Sequence, residues 1–177
     1  MSGLEIERKF LVKKTGDTYK RAAFSCSHIQ QGYIPSPAAT VRIRLRQEVT
    51  AEGEAGQAKA YLTIKSKSAD GGLSRYEFEK EILPDEAQQL LKLCKGGRID
   101  KHRYLVKSGR HTFEVDEFHG DNEGLVMAEV ELSDASEAFE KPDFIGMEVT
   151  GDRRFYNKHM LIEPFSSWRT TLPEEYQ

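Results

Sequence analysis

Residues 40–47 read Thr-Val-Arg-Ile-Arg-Leu-Arg-Gln, with Val41, Ile43 and Leu45 alternating with Arg42, Arg44 and Arg46. A strand points successive side chains to opposite faces, so this period of two marks a sheet with one apolar and one charged face. The same alternation runs through 5–12, 60–67, 75–82, 101–107, 111–118, 126–132 and 144–150, which brings the predicted strands to eight. Gly-rich stretches at 50–59 and 68–74, and shorter turns at 108–110 and 119–124, separate successive strands as hairpin loops do. Helices are predicted over 15–23, 84–95 and 152–161. The clearest is the second: Pro84 and the acids after it open it, Leu90, Leu91 and Cys94 share a face, and Gly96-Gly97 ends it. The reading is a mainly β (α+β) antiparallel fold, a single domain over 1–177 with 164–177 as a polar C-terminal tail.

Composition narrows the function. The chain has 177 residues, and 31% of them are charged against about 25% in an average domain. Net charge is nevertheless only −3, which argues against non-specific nucleic-acid binding, since that leans on a basic footprint. No apolar run reaches the roughly 18 residues of a membrane span, and the N-terminus lacks the apolar core of a signal peptide. Cys26 and Cys94 read as free thiols in a reducing compartment, so the expected address is the cytosol. The five histidines make no zinc pattern, and neither a P-loop nor a GxSxG elbow occurs.

The surplus charge sits on the strands, mostly with one sign per strand. Glu5, Glu7 and Lys9 share a face; Arg42, Arg44 and Arg46 share another, followed by Lys65 with Lys67 and by Glu77, Glu79 and Glu81. Lys101 with Arg103, Glu114 with Asp116, and Glu129 with Glu131 complete the series. A solvated face is the ordinary fate of an alternating strand. Yet like charges two residues apart, about 6.6 Å, repel by roughly 2.5 kcal/mol at an effective dielectric of 20. Recurring same-sign pairs make sense if ligands of opposite sign neutralise them. Acidic clusters suit a hard divalent cation, and Arg and Lys suit phosphate oxygens. Eight antiparallel strands can close into a barrel with either face inward, and charge alternation alone does not say which.

Glu5-Ile6-Glu7-Arg8-Lys9 resembles the ExExK signature of the CYTH superfamily, the triphosphate tunnel metalloenzymes. Further elements follow in family order: Gln31-Gly32-Tyr33, the RxR of Arg42 and Arg44, Thr63 to Lys65, the ExE of Glu77 and Glu79, Lys101 to Tyr104, Phe113 to Phe118, and 124–132. The match spans roughly 4–161 and is closest to the short bacterial inorganic-triphosphatase type. The resemblance implies an eight-stranded antiparallel barrel forming a closed tunnel with the charged face inside. It implies metal-side carboxylates at Glu5, Glu7, Glu129 and Glu131, with Asp116 as a further candidate. Phosphate contacts fall on Lys9, Arg42, Arg44, Lys65, Lys101 and Arg103, and Glu77 and Glu79 assist the metal wall or position water. Lys9 is read as a phosphate contact or, with a lowered pKa, a base; Tyr33 is a catalytic helper or a packed aromatic. Phe113 stands where relatives often carry Trp, and 154–157 fits the family's C-terminal motif loosely.

The expected reaction is hydrolysis of tripolyphosphate to pyrophosphate and phosphate with Mg²⁺ or Mn²⁺. Class IV adenylate cyclase and thiamine triphosphatase are alternatives on the same fold, and a non-catalytic polyphosphate- or nucleotide-binding module is the alternative outside enzymes. The expected partner is a small-molecule triphosphate, without stable nucleic acid or membrane; a homodimer stays open.

Overall fold

A computed structural model describes residues 6–14, 17–66 and 77–177, with the backbone alone at Glu77. Glu5, Lys67, the predicted turn at 68–74 and the side chain of Glu77 lie outside the described residues. Along the chain come β1 (Ile6–Val12), α1 (Thr18–Ala22), β2 (Ala23–Ile34), β3 (Ala39–Val49), β4 (Ala55–Ser66), β5 (Glu77–Ile82) and α2 (Pro84–Leu91). Then follow β6 (Ile99–Ser108), β7 (His111–Phe118), β8 (Val126–Leu132), β9 (Ile145–Glu148), α3 (Asn157–Met160) and α4 (Phe165–Trp168). The fold is mainly antiparallel β with a few short helices. Nine strands replace the expected eight among the described residues. The addition is β2, where Ser25, Ser27 and Gln31 interrupt any apolar alternation and remove the signal that marked the other eight.

Contacts group the chain into two compact units, residues 1–26 with 101–177 and residues 27–100. In the first the strand order is β6-β7-β8-β1-β9. Its apolar face carries Phe10, Val12, Val106, Phe113, Val115, Ala128 and Val130, packed with Tyr19, Phe144 and Ile145. The antiparallel register puts Glu7 opposite Glu131, Lys9 opposite Glu129, Glu114 opposite Glu129 and Arg103 opposite Asp116, so these side chains share the other face.

The second unit has the order β5-β4-β3-β2. Ile43 and Ala60 pack there against Ala87, Leu91 and Cys94 of the α2 segment. Glu86 accepts the Leu83 N–H at 2.8 Å and Pro84 supplies the first helical residue, so the helix starts where the sequence predicts. It ends at Leu91, and Cys94 follows in a turn. A Cβ on Gly32 would lie 2.7 Å from both Cβ and Sγ of Cys94, which explains the glycine between Gln31 and Tyr33: β2 passes too close to that turn for a side chain.

Residues 164–177 are not a tail. Phe165, Trp168, Leu172 and Tyr176 are buried, and Trp168 meets Phe155 and Phe165 edge-on at 5.2 and 5.1 Å. The Tyr176 hydroxyl accepts the Met147 N–H at 3.0 Å and sits where a Cβ on Gly146 would be, 2.3 Å away. The C-terminal segment thereby covers β9 and satisfies a backbone donor on it. The predicted helix over 152–161 is a 3₁₀ turn at Arg153–Phe155 followed by α3. No helix among the described residues is long and apolar enough to cross a membrane.

Candidate active site

The charged face of the first unit is held together by ion pairs. Lys101, fully buried, donates to Asp116 Oδ2 at 2.6 Å. Arg103 grips the same carboxylate through Nε and Nη2, both at 2.7 Å, and also pairs with Glu114. Burial disfavours the Asp116 anion, but Arg103 and Lys101 more than offset this and hold its carboxyl well below the usual range. Asp116 is thus a brace between two cations. Glu114, given no role by the sequence reading, joins the same cluster.

Beside it, Lys9 reaches Glu7 at 3.1 Å and Glu129 at 2.9 Å. Burial lowers the Lys9 pKa, and Glu129 and Glu7 more than offset that, leaving it above the ordinary value. In this arrangement the two carboxylates favour the charged form of Lys9, the reverse of the lowered pKa read for a base. Its backbone is clipped on both sides, by Thr150 Oγ1 accepting the Lys9 N–H at 3.0 Å and by the Val149 N–H donating to its carbonyl at 2.8 Å. Glu131 lies opposite Glu7 and is exposed. Two carboxylates facing each other across paired strands repel unless a cation lies between.

The charged face of the second unit combines neutral groups with a carboxylate, Arg42 Nη2 lying 3.5 Å from Glu79 Oε2. Arg42 Nη2 donates to Thr63 Oγ1 at 3.1 Å, and that hydroxyl donates to Glu79 Oε2 at 2.9 Å. Arg44 Nε donates to Gln31 Oε1 at 3.1 Å, Gln31 Nε2 to the Tyr33 hydroxyl at 3.4 Å, and Arg46 Nε to Ser27 Oγ at 2.9 Å. Lys65 lies opposite Thr40 on β3 and opposite the backbone position of Glu77 on β5. Ser27, Gln31 and Thr63, all buried, were missed as site residues. Gln31 and Thr63 stand inside elements of the family resemblance, Gln31-Gly32-Tyr33 and Thr63 to Lys65, and that is the signal that points to them. Among the described residues, Arg42 Nε and Asn157 Oδ1 are buried side-chain atoms with no hydrogen-bond partner.

The donor set for a cation, Glu7, Glu129 and Glu131, is all hard oxygen and fits Mg²⁺ or Mn²⁺ in kind. Among the described residues no three such groups already converge into a metal cage, because Glu7 and Glu129 close on Lys9.

A family model for the CYTH domain matches residues 3–156. An inorganic triphosphatase of Acetivibrio thermocellus is 43% identical over 169 residues, covering 94% of this chain and 99% of the relative. An inorganic triphosphatase of Nitrosomonas europaea is 36% identical over 161 residues, covering 89% and 97%. The crystal structure of the inorganic triphosphatase NE1496 superposes with a TM-score of 0.64 at 30% identity, covering 90% of this chain and 95% of that one. With the motifs in order along the strands and their charged residues gathered on shared sheet faces, this chain belongs to the CYTH family.

Proposed function

We propose that this protein hydrolyses inorganic tripolyphosphate to pyrophosphate and phosphate with a divalent cation. The observation that carries the reading is Arg42. Its Nε is a buried N–H donor without an acceptor among the described residues, on a face shared with Arg44 and opposite Thr63. An unmet donor of this kind costs about 1–3 kcal/mol, and a phosphate oxygen answers it. The relatives named inorganic triphosphatases support the choice of a substrate without an organic group.

In this reading Arg42, Arg44 and Lys65 bind phosphate oxygens, and Gln31 and Thr63 orient the two guanidinium groups without cancelling their charge. Lys101 and Arg103, fixed by Asp116, and Lys9 add positive charge for the anionic substrate. Glu7, Glu129 and Glu131, with Glu5, would hold the cation, and Glu79 with Glu77 would orient water. When bound, the cation supplies charge neutralisation and Lewis-acid polarisation of a phosphoryl oxygen. The protein's own contribution is positioning and pre-arranged charge, which is what phosphoryl transfer chiefly requires. The test is phosphate release from tripolyphosphate with a series of divalent metals, alongside ATP and thiamine triphosphate. Glu7→Ala and Arg44→Ala should each lower kcat/KM by about 10²-fold or more. Turnover of tripolyphosphate that survives both changes overturns the assignment.

A further inference from the structure

The Lys9 ammonium has a third neighbour besides its two carboxylates. The ring of Tyr156 lies over it, with Nζ 4.8 Å from the ring centroid. Tyr156 is fixed from behind: Phe155 next to it is fully buried, its N–H donates to the Arg153 carbonyl at 3.2 Å, and its own carbonyl accepts the His159 and Met160 N–H groups at 2.9 and 3.0 Å. Tyr156 is 42% exposed, so burial does not account for its placement. The clip of Val149 and Thr150 onto Lys9 ties the chain leading to Tyr156 to the same residue that the ring covers.

We propose that Tyr156 is a positioning residue that holds the Lys9 ammonium for the substrate's phosphates when Glu7 and Glu129 turn to a cation. This rests on the function proposed above. The chemistry distinguishes a ring from any other partner. A carboxylate or amide oxygen placed over Lys9 would compete as a metal ligand, whereas an aromatic face attracts an ammonium and offers no lone pair to a hard cation. Lys9 therefore keeps one partner in both states of the carboxylates. A phenyl ring does this as well as a phenol; a leucine of similar bulk does not.

Steady-state kinetics with tripolyphosphate and magnesium provide the first measurement. Tyr156→Leu should raise KM about fivefold, the size of one exposed cation–π contact, with kcat within about twofold of wild type. Tyr156→Phe should match wild type. The second measurement is calorimetric binding of pyrophosphate with magnesium, which involves no turnover. Tyr156→Leu should weaken it about fivefold in the wild-type background and not at all in a Lys9→Met background. Equal behaviour of the Leu and Phe variants, or equal weakening in both backgrounds, overturns the inference. Absence of tripolyphosphate hydrolysis by the wild type overturns the proposed function instead, and the binding comparison still decides the role of Tyr156.

Discussion

The two units support a row of cations on one face of a sheet in different ways. In the first, Lys101 and Arg103 close on Asp116, and Lys9 closes on Glu7 and Glu129. In the second, Arg44 and Arg46 direct Nε to the neutral oxygens of Gln31 and Ser27, and Arg42 reaches Thr63 and, at 3.5 Å, the Glu79 carboxylate. An opposite charge cancels the field of a cation while fixing it; a neutral acceptor fixes the geometry and leaves the charge. The first face is accordingly braced chiefly by ion pairs, and the second by neutral acceptors together with the Glu79 carboxylate, with its guanidinium groups oriented for an incoming anion. The difference teaches that the near-zero net charge of the chain is not one average property but two local arrangements.

The largest effect should come from breaking the first. Asp116→Asn leaves Lys101 and Arg103 without their shared carboxylate in a site where Lys101 is fully buried. Removing one member of a buried pair costs about 3–5 kcal/mol, to be read from urea unfolding. The same carboxylate sets a pH dependence. Its folded pKa is depressed, so the stability it contributes is present above the unfolded value near 4 and is lost as pH falls below that toward the folded value. Asp116→Asn should flatten the acid limb of the unfolding curve between about pH 4 and pH 2. An unchanged limb would mean that the pairing does not hold in solution.

Much of this scaffold was legible in the sequence. Eight of the strands follow from alternation, and the turn at 108–110 fixes β6 against β7 so that Arg103 must face Asp116. What alternation could not reveal was β2, whose outward and inward positions are both mixed, and with it the partners Ser27 and Gln31. The C-terminal segment misled for another reason. Phe165, Trp168, Leu172 and Tyr176 recur at spacings of three or four, an apolar pattern hidden among Ser, Thr, Glu and Pro. Tyr156 over Lys9 links positions 147 residues apart in the chain, and no local pattern encodes such a contact. Charge sign was readable strand by strand; which charges neutralise each other was a property of register.

A change in the second unit sharpens the comparison from the other side. Gln31→Ala removes the acceptor that orients Arg44 and, through the Gln31 amide, its link to Tyr33. If that face holds cations for substrate, the loss appears in function: kcat/KM for tripolyphosphate should fall about tenfold, equivalent to about 1.4 kcal/mol. The change should lie mainly in KM, because a less firmly oriented guanidinium weakens ground-state and transition-state binding alike. Asp116→Asn should act first on stability, and Gln31→Ala first on kinetics. A Gln31 variant with native kinetics would remove the distinction drawn between neutral and charged support.

The smallest effect concerns an ion pair that neither face uses. Arg8 donates to both oxygens of Glu148 across β1 and β9, at a site about one third exposed. That hydrogen bond, with help from Thr150, lowers the Glu148 pKa to about 2. The stabilisation is therefore present above the unfolded value near 4.3 and disappears as pH falls toward 2. Water and salt screen an exposed pair, so Glu148→Gln should cost only about 0.5 kcal/mol at pH 7, and almost nothing at about 1 M salt. The Asp116 penalty should persist at that same ionic strength, because counterions do not reach a buried carboxylate. Measuring both variants by urea unfolding at low and high salt places the exposed and the buried pair on one scale. Equal salt sensitivity in the two would show that the Lys101–Asp116–Arg103 cluster is open to solvent, and the contrast between a sealed face and an open one would fail with it.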